Sequence, residues 1–337
     1  MSLPTHAARR NAPDPGDLKD LADRLLDRVD AVVLDKGETT RLVFSAMLAG
    51  GHMLLEDIPG VGKTTLAVTL GRLFDLRCTR VQFTPDTMPS DLVGFSVWRQ
   101  DSSSFEYQPG AALCNVLVAD EINRTSPKTQ SALLEVMEER SVTVDGVTRR
   151  VPEPFFVLAT QNPLGSVGTQ PLPPSQLDRF MACASMGYPS FEAELEMART
   201  CASGRRTDAV APMAQAADLV AMQREAAATY AGDAVLDYAV RLVSATRADA
   251  RLALGASPRA TTALVRLAKA SAWLRGSDYV APADVEPLFL PVARHRVQLD
   301  ASAAARGLSV DDVLADIAGG VQRPRLALGG RRGLRDA

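Results

Sequence analysis

The sequence predicts an α/β fold, a parallel sheet covered by helices, with a second, all-helical domain behind it. Three patterns carry that expectation. Between residues 52 and 189 short apolar runs alternate with stretches of helical periodicity, the order that places parallel strands beneath crossover helices. One strand-to-helix turn is rich in glycine, Pro59-Gly60-Val61-Gly62-Lys63-Thr64. Beyond Pro189 the strand signals fade, and residues 191–320 are rich in alanine and leucine at helical spacing. A chain of 337 residues has room for about two domains of roughly 150 residues each.

In chain order, residues 1–16 hold Asn11, Pro13, Asp14, Pro15 and Gly16 without apolar periodicity and read as a disordered arm. Residues 17–50 read as helical from the spacing of Leu18, Leu21, Leu25, Val29 and Val32. Apolar runs at 53–55, 81–83, 116–119 and 155–159 read as strands, and the patterns at 64–74 and 127–139 as helices between them. Two hairpins interrupt the alternation. One spans 94–107 around a polar turn, and the other spans 142–151 around Asp145-Gly146, a pair suited to a tight turn. These elements make a first domain over 17–189. A helical domain over 190–322 follows, with helices near 191–203, 214–229, 233–250, 258–275, 282–293 and 309–318. The tail at 323–337 carries Arg323, Arg325, Arg331, Arg332 and Arg335 and reads as solvated and disordered.

Composition excludes several classes. With 46 % apolar and 23 % charged residues, the chain is neither collagen-like nor disordered nor a membrane bundle. The longest uncharged apolar stretch, 42–55, falls short of the about 20 residues that span a bilayer. Cys78, Cys114, Cys183 and Cys201 lack zinc or redox spacing, and His6, His52 and His295 are equally scattered. No signal-peptide pattern opens the chain, so the expectation is a cytoplasmic protein with reduced thiols and no membrane insertion. The net charge of −3 and the lack of a basic–aromatic stripe argue against nucleic acid as a partner. Only five of the 37 basic residues are lysines (Lys19, Lys36, Lys63, Lys128 and Lys269). That skew reads as a coding bias, and Lys63 is the position where chemistry resists it.

The glycine-rich turn has the form of a phosphate cradle. Gly60 and Gly62 let the backbone curl so that successive N–H groups face phosphate oxygens, and the helix start adds its own unpaired donors. Lys63 is placed to reach the β- and γ-phosphates of a nucleotide, and the Thr64 hydroxyl to hold Mg²⁺, with Thr65 beside it. The strict pattern wants glycine six residues before the lysine, and Asp57 stands there.

A second apolar run, Val116-Leu-Val-Ala-Asp-Glu121, ends in two carboxylates at the sheet edge where α/β folds bind ligands. Asp120 suits the residue that orients hydrated Mg²⁺, and Glu121 suits a general base for an attacking water. The run at 155–159 leads to Asn162, which would sit beside Glu121 if the strands are neighbours, or simply close a turn before Pro163. Arg179 reads either as a cation for a neighbouring subunit's γ-phosphate or as a salt-bridge residue. Ser257 and Pro258 read as cap and first turn of a helix, with Arg259 just inside it, facing either phosphate or solvent.

Together these residues resemble the AAA+ ATPases, and within them the MoxR family, over about residues 20–322. The resemblance rests on Leu55-Glu-Asp-Ile-Pro-Gly-Val-Gly-Lys-Thr64, Gln82-Phe-Thr-Pro-Asp86, Ala119-Asp-Glu-Ile-Asn-Arg124, Ala159-Thr-Gln-Asn-Pro163, Gln176-Leu-Asp-Arg-Phe180, Gly255-Ala-Ser-Pro-Arg259 and Arg294-His-Arg296. Asp57 in the loop is normal for that family, whereas 164–170 and Gly110-Ala111 depart from it. The resemblance implies that Asp57, Pro59, Gly60, Val61, Gly62, Lys63, Thr64 and Thr65 form Walker A. Asp120 and Glu121 would be Walker B, Asn162 sensor 1, Arg179 the arginine finger and Arg259 sensor 2. It implies an α/β AAA+ domain with a helical lid, and ATP and Mg²⁺ bound between subunits of a homo-oligomer, a hexameric ring. It also implies chaperone-like remodelling of client complexes with a von Willebrand factor A domain partner. A nucleotide-dependent scaffold with little turnover, and the motor subunit of a chelatase- or helicase-like machine, are the alternatives.

Overall fold

A computed structural model describes residues 15–58, 60–162, 169–202 and 210–324. The elements run α1 (Pro15–Asp30), α2 (Gly37–Leu48), β1 (Met53–Glu56), α3 (Lys63–Leu73), β2 (Cys78–Gln82), α4 (Pro89–Val93), β3 (Phe95–Arg99), β4 (Ser104–Gln108), β5 (Val116–Asp120) and a 3₁₀ turn at Ile122–Arg124. Next come α5 (Pro127–Glu139), β6 (Ser141–Val144), β7 (Val147–Arg150), β8 (Phe156–Gln161), α6 (Pro174–Leu177) and β9 (Ala182–Ala184). The C-terminal part holds α7 (Phe191–Ala202), α8 (Ala216–Ala228), α9 (Asp233–Ala248), β10 (Leu252–Leu254), α10 (Pro258–Leu274), α11 (Pro282–Ala293), β11 (Gln298–Leu299), α12 (Ala301–Ala305) and α13 (Val310–Gly320).

The central sheet is parallel throughout, in the order β2-β5-β8-β1-β9. Strands β5 and β8 are buried along their whole length, so both faces are covered and the apolar runs are continuous. Alternate residues feed two cores. Met53, Leu55, Val116, Val118, Phe156 and Leu158 face one cluster, which extends through α1–α3 to the C-terminal helices. Leu54, Leu117, Ala119, Val157 and Ala159 face the other, with α5 and Val142 of the second hairpin. Register aligns the C-terminal ends: Glu56 pairs with Gln161 and Gln82 with Asp120, which sets four chain exits side by side.

Several elements differ from the sequence expectation. Helix α1 begins at Pro15 rather than 17, because proline's fixed φ and missing N–H suit a first helical turn. The stretch 17–50 is broken at 31–36, where Asp35 has φ 61°. There Asp35 accepts the Ser190 N–H at 2.8 Å and Lys36 donates to the Tyr188 carbonyl at 2.8 Å, so the break docks the segment leaving the sheet. The second strand is 78–82 rather than 81–83, and it has alternating exposure rather than an apolar run. Strand β9, three small buried residues, had no pattern to read. The helical part also contains the antiparallel ribbon β10–β11. Arg323 is ion-paired with Glu286 rather than free in a tail. The rest of the arm (1–14) and tail (325–337), and the loop at 163–168, lie outside the described residues. Both hairpins are present, as β3–β4 and β6–β7, the latter closing through Asp145 (φ 52°) and Gly146 (φ 75°).

Candidate functional site

The exit from β1 curls through Gly60 (φ 87°) and Gly62 (φ 96°), left-handed conformations that glycine adopts without strain. Gly62 is the N-cap of α3 and offers no side chain to its first N–H groups, which leaves those donors facing the loop. Lys63, buried, donates to the carbonyls of Asp57 at 2.9 Å and Ile58 at 3.0 Å. Burial pushes the Lys63 ammonium pKa down, against the pull of Asp57, Asp120 and Glu121. Pro59 lies outside the described residues.

Asp57 has a task that the glycine of the strict pattern could not perform. Its Oδ2 accepts the N–H groups of Met186 and Gly187 (2.9 Å) and the Ser185 hydroxyl (3.2 Å), and its Oδ1 accepts the Ile58 N–H at 3.1 Å. A buried carboxylate thereby ties the glycine-rich loop to the segment after β9.

At the end of β5, Asp120 faces this loop. Its Oδ2 accepts the Thr64 hydroxyl at 3.2 Å and Arg80 Nε at 2.7 Å, and its Oδ1 accepts the Thr160 hydroxyl at 3.4 Å. The next residue, Glu121, takes φ 60° and ψ 47°, which turns its side chain away from that of Asp120. Its N–H donates to the Thr160 hydroxyl at 2.9 Å. Its carboxylate accepts Asn162 Nδ2 at 3.2 Å and Arg124 Nε at 2.9 Å. Asn162 is itself clamped: buried Asn123 donates to its carbonyl at 3.1 Å and accepts its N–H at 3.4 Å. Lys63, Thr64, Asp120, Glu121 and Asn162 thus form one cluster at the C-terminal edge of the sheet. Arg80, Asn123, Arg124 and Thr160 complete it. Sequence reading gave none of these four a role: strand order, which no local pattern reveals, brings Arg80 and Thr160 there, and the 3₁₀ turn after Glu121 brings Asn123 and Arg124.

The residues present suit a nucleotide with a hard divalent cation. Open helix donors, two left-handed glycines and a buried ammonium match phosphate oxygens, and the paired Thr64 and Asp120 oxygens match Mg²⁺. Among the described residues no group of three or more His, Cys, Asp or Glu could hold a metal, so the other ligands would be phosphate and water.

Arg179 and Arg259 are elsewhere. Arg179 lies just before β9, and its Nε meets Glu138 at 2.7 Å; Arg259 lies in the first turn of α10, and its Nη2 meets the same carboxylate at 2.8 Å. They line a cavity of about 250 Å³ with Gly50, Gly51 and His52, which precede β1. The glycine-rich loop follows β1, so the two clusters lie at opposite ends of that strand. Arg259 therefore stands apart from the glycine-rich loop of its own subunit. Ser257, which caps α10 and accepts the Arg259 N–H, docks on Asp178 and carries Arg259 toward the far edge.

Known proteins match this arrangement. The family described as the ATPase family associated with various cellular activities (AAA) matches residues 52–182, and the AAA lid domain matches 244–317. The uncharacterised protein YeaC of Bacillus subtilis is 42% identical over 91% of this chain and 96% of its own. Chaperone MoxR1 of Mycobacterium tuberculosis is 38% identical over 90% of this chain and 82% of its own. A crystal structure of a Cytophaga hutchinsonii protein assigned as an ATPase superposes with TM-score 0.86 at 34% identity, covering 92% of this chain and 97% of that one.

Proposed function

Because the chain belongs to the MoxR family of AAA+ ATPases, we propose that the cluster at the C-terminal sheet edge binds ATP with Mg²⁺ and hydrolyses it. The turnover would drive chaperone-like remodelling of protein complexes by a ring of subunits. The observation that carries this reading is the Glu121 carboxylate, turned out of the strand by a left-handed backbone and held by Asn162 at 3.2 Å.

Each side chain has a task in that reading. The loop amides and the α3 N-terminus cradle the β- and γ-phosphates. Lys63 exchanges its two loop carbonyls for phosphate oxygens. Thr64 and Asp120 would hold Mg²⁺, which supplies positive charge to the phosphate oxygens as the terminal bond breaks. Glu121 polarises the attacking water as general base, and Asn162 orients Glu121 and that water. Arg179 and Arg259 serve the nucleotide of an adjacent subunit, because they stand at the far end of β1 from their own loop. A homo-oligomer, a hexamer by family resemblance, supplies that neighbour, and a von Willebrand factor A domain protein is the partner of choice. Chaperone MoxR1 among the relatives supports the remodelling role.

Glu121→Gln tests the reading: ATP binding persists and phosphate release falls by about 10²- to 10⁴-fold. Turnover that survives this substitution overturns it.

A further inference from the structure

One carboxylate serves both far-edge arginines. Glu138, in the last turn of α5, accepts Arg179 through Oε2 and Arg259 through Oε1. The three residues come from separate segments, and the two that carry the arginines are held together by another joint. Asp178 accepts the Ser257 hydroxyl at 2.8 and 3.0 Å and Arg296 Nε at 2.8 Å, and the Arg296 side chain is only 2% exposed. With that buried joint intact, the two guanidiniums can leave Glu138 without separating the elements that carry them. The Glu138 side chain is 40% exposed, and an ion pair between such groups is weak enough to exchange.

The cavity around them is cationic. Arg140 donates to the Gly50 carbonyl and Arg266 to the Ala49 carbonyl, and among the described residues neither has a carboxylate partner. A phosphoryl group offers three charged oxygens where Glu138 offers two, so it competes well for a pair of guanidiniums. Such a phosphate cannot be the subunit's own, which is cradled at the other end of β1. We propose that Glu138 is an internal counter-anion that holds Arg179 and Arg259 in the isolated subunit and cedes both to the terminal phosphate of a nucleoside triphosphate on a second copy of the chain. The proposal rests on the nucleotide reading above and makes Glu138 a positioning residue for it.

Sedimentation velocity of the full chain tests this, read as the protein concentration at half-assembly. The probes are a non-hydrolysable ATP analogue, ADP alone, and ADP with inorganic phosphate. Glu138→Gln is expected to assemble at about fivefold lower concentration than wild type with the analogue, and to show no gain with either ADP condition. Glu138→Asp, which keeps the charge, stays within about twofold of wild type, and adding Arg179→Ala to Glu138→Gln erases the gain. Steady-state kinetics follow suit: Glu138→Gln lowers KM for ATP with kcat unchanged. Equal half-assembly concentrations, a gain of the same size with ADP, or a gain with ADP and free phosphate each overturn the proposal. So does a lack of assembly in both proteins. Direct binding of the analogue to wild type separates the two readings: if it fails to bind, the nucleotide reading falls as well, and if it binds without the expected shift, only the role of Glu138 falls.

Discussion

Lys63 is buried with its ammonium against two loop carbonyls, at 2.9 and 3.0 Å, a space shaped for a compact point charge on a flexible stem. A planar guanidinium has a different shape and donor geometry. Lys63→Arg is therefore expected to weaken ATP binding by at least about tenfold, or about 1.4 kcal/mol, with the unfolding midpoint unchanged. Equilibrium titration with a fluorescent nucleotide checks it, and wild-type affinity in the variant refutes it. Lys36 also has a specific task, since it is buried and holds the Tyr188 carbonyl. Asp57 gives the opposite lesson about the same loop. Asp57→Gly would restore the strict phosphate-loop pattern yet strip the Met186 and Gly187 N–H groups of their acceptor. It should lower stability by about 2 kcal/mol in urea denaturation, and a variant as stable as wild type would refute the tethering role.

Between elements, the joint at Asp178 decides how the helical part sits on the sheet. Arg296, which follows α11, bonds the Asp178 carboxylate and the carbonyls of Asp178, Phe180 and Met181, and burial lowers its pKa against the pull of Asp178. Removing one partner of such a pair leaves the other charge without compensation. Arg296→Met is expected to cost about 3 kcal/mol of stability and to reduce turnover as well, because Asp178 adjoins Arg179 and holds the cap residue of the helix bearing Arg259. Denaturation and phosphate release measured together check this. A stable variant with normal turnover would refute the joint.

At the scale of the molecule, two histidines are buried. His52 accepts the Val157 N–H on Nδ1, which leaves Nε2 protonated to donate to the Met137 carbonyl at 3.1 Å. Burial pushes its pKa down to about 4, and desolvation pushes His295 down as well. Unfolding frees both to take up protons at their ordinary pKa near 6.5. The unfolded chain then binds more protons than the folded one between about pH 6.5 and 4, so stability is lost as pH falls through that window. For His52 the loss approaches about 3 kcal/mol. Urea midpoints from pH 7.5 down to 4 should fall accordingly, and His52→Gln should flatten part of the decline. An unchanged midpoint across the window would contradict the buried neutral imidazoles.

Much of the site was legible in sequence because its parts are local. Gly60 to Thr64 form a turn whose curl depends on adjacent residues. Asp120 and Glu121 end one apolar run, Asn162 follows another, and Ser257 and Pro258 start a helix through their own caps. A parallel sheet followed from apolar runs alternating with helical spacing, since burial on both faces demands that pattern. The tertiary structure alone decided which distant groups meet. Arg80 reaches Asp120 across 40 positions, Gly187 reaches Asp57 across 130, and Arg259 reaches Glu138 across 121. Those meetings depend on strand order and on how the helical part docks, which are properties of the packed whole. For the same reason Arg179 and Arg259, side by side at the far end of β1, were individually visible in the chain but not as a pair.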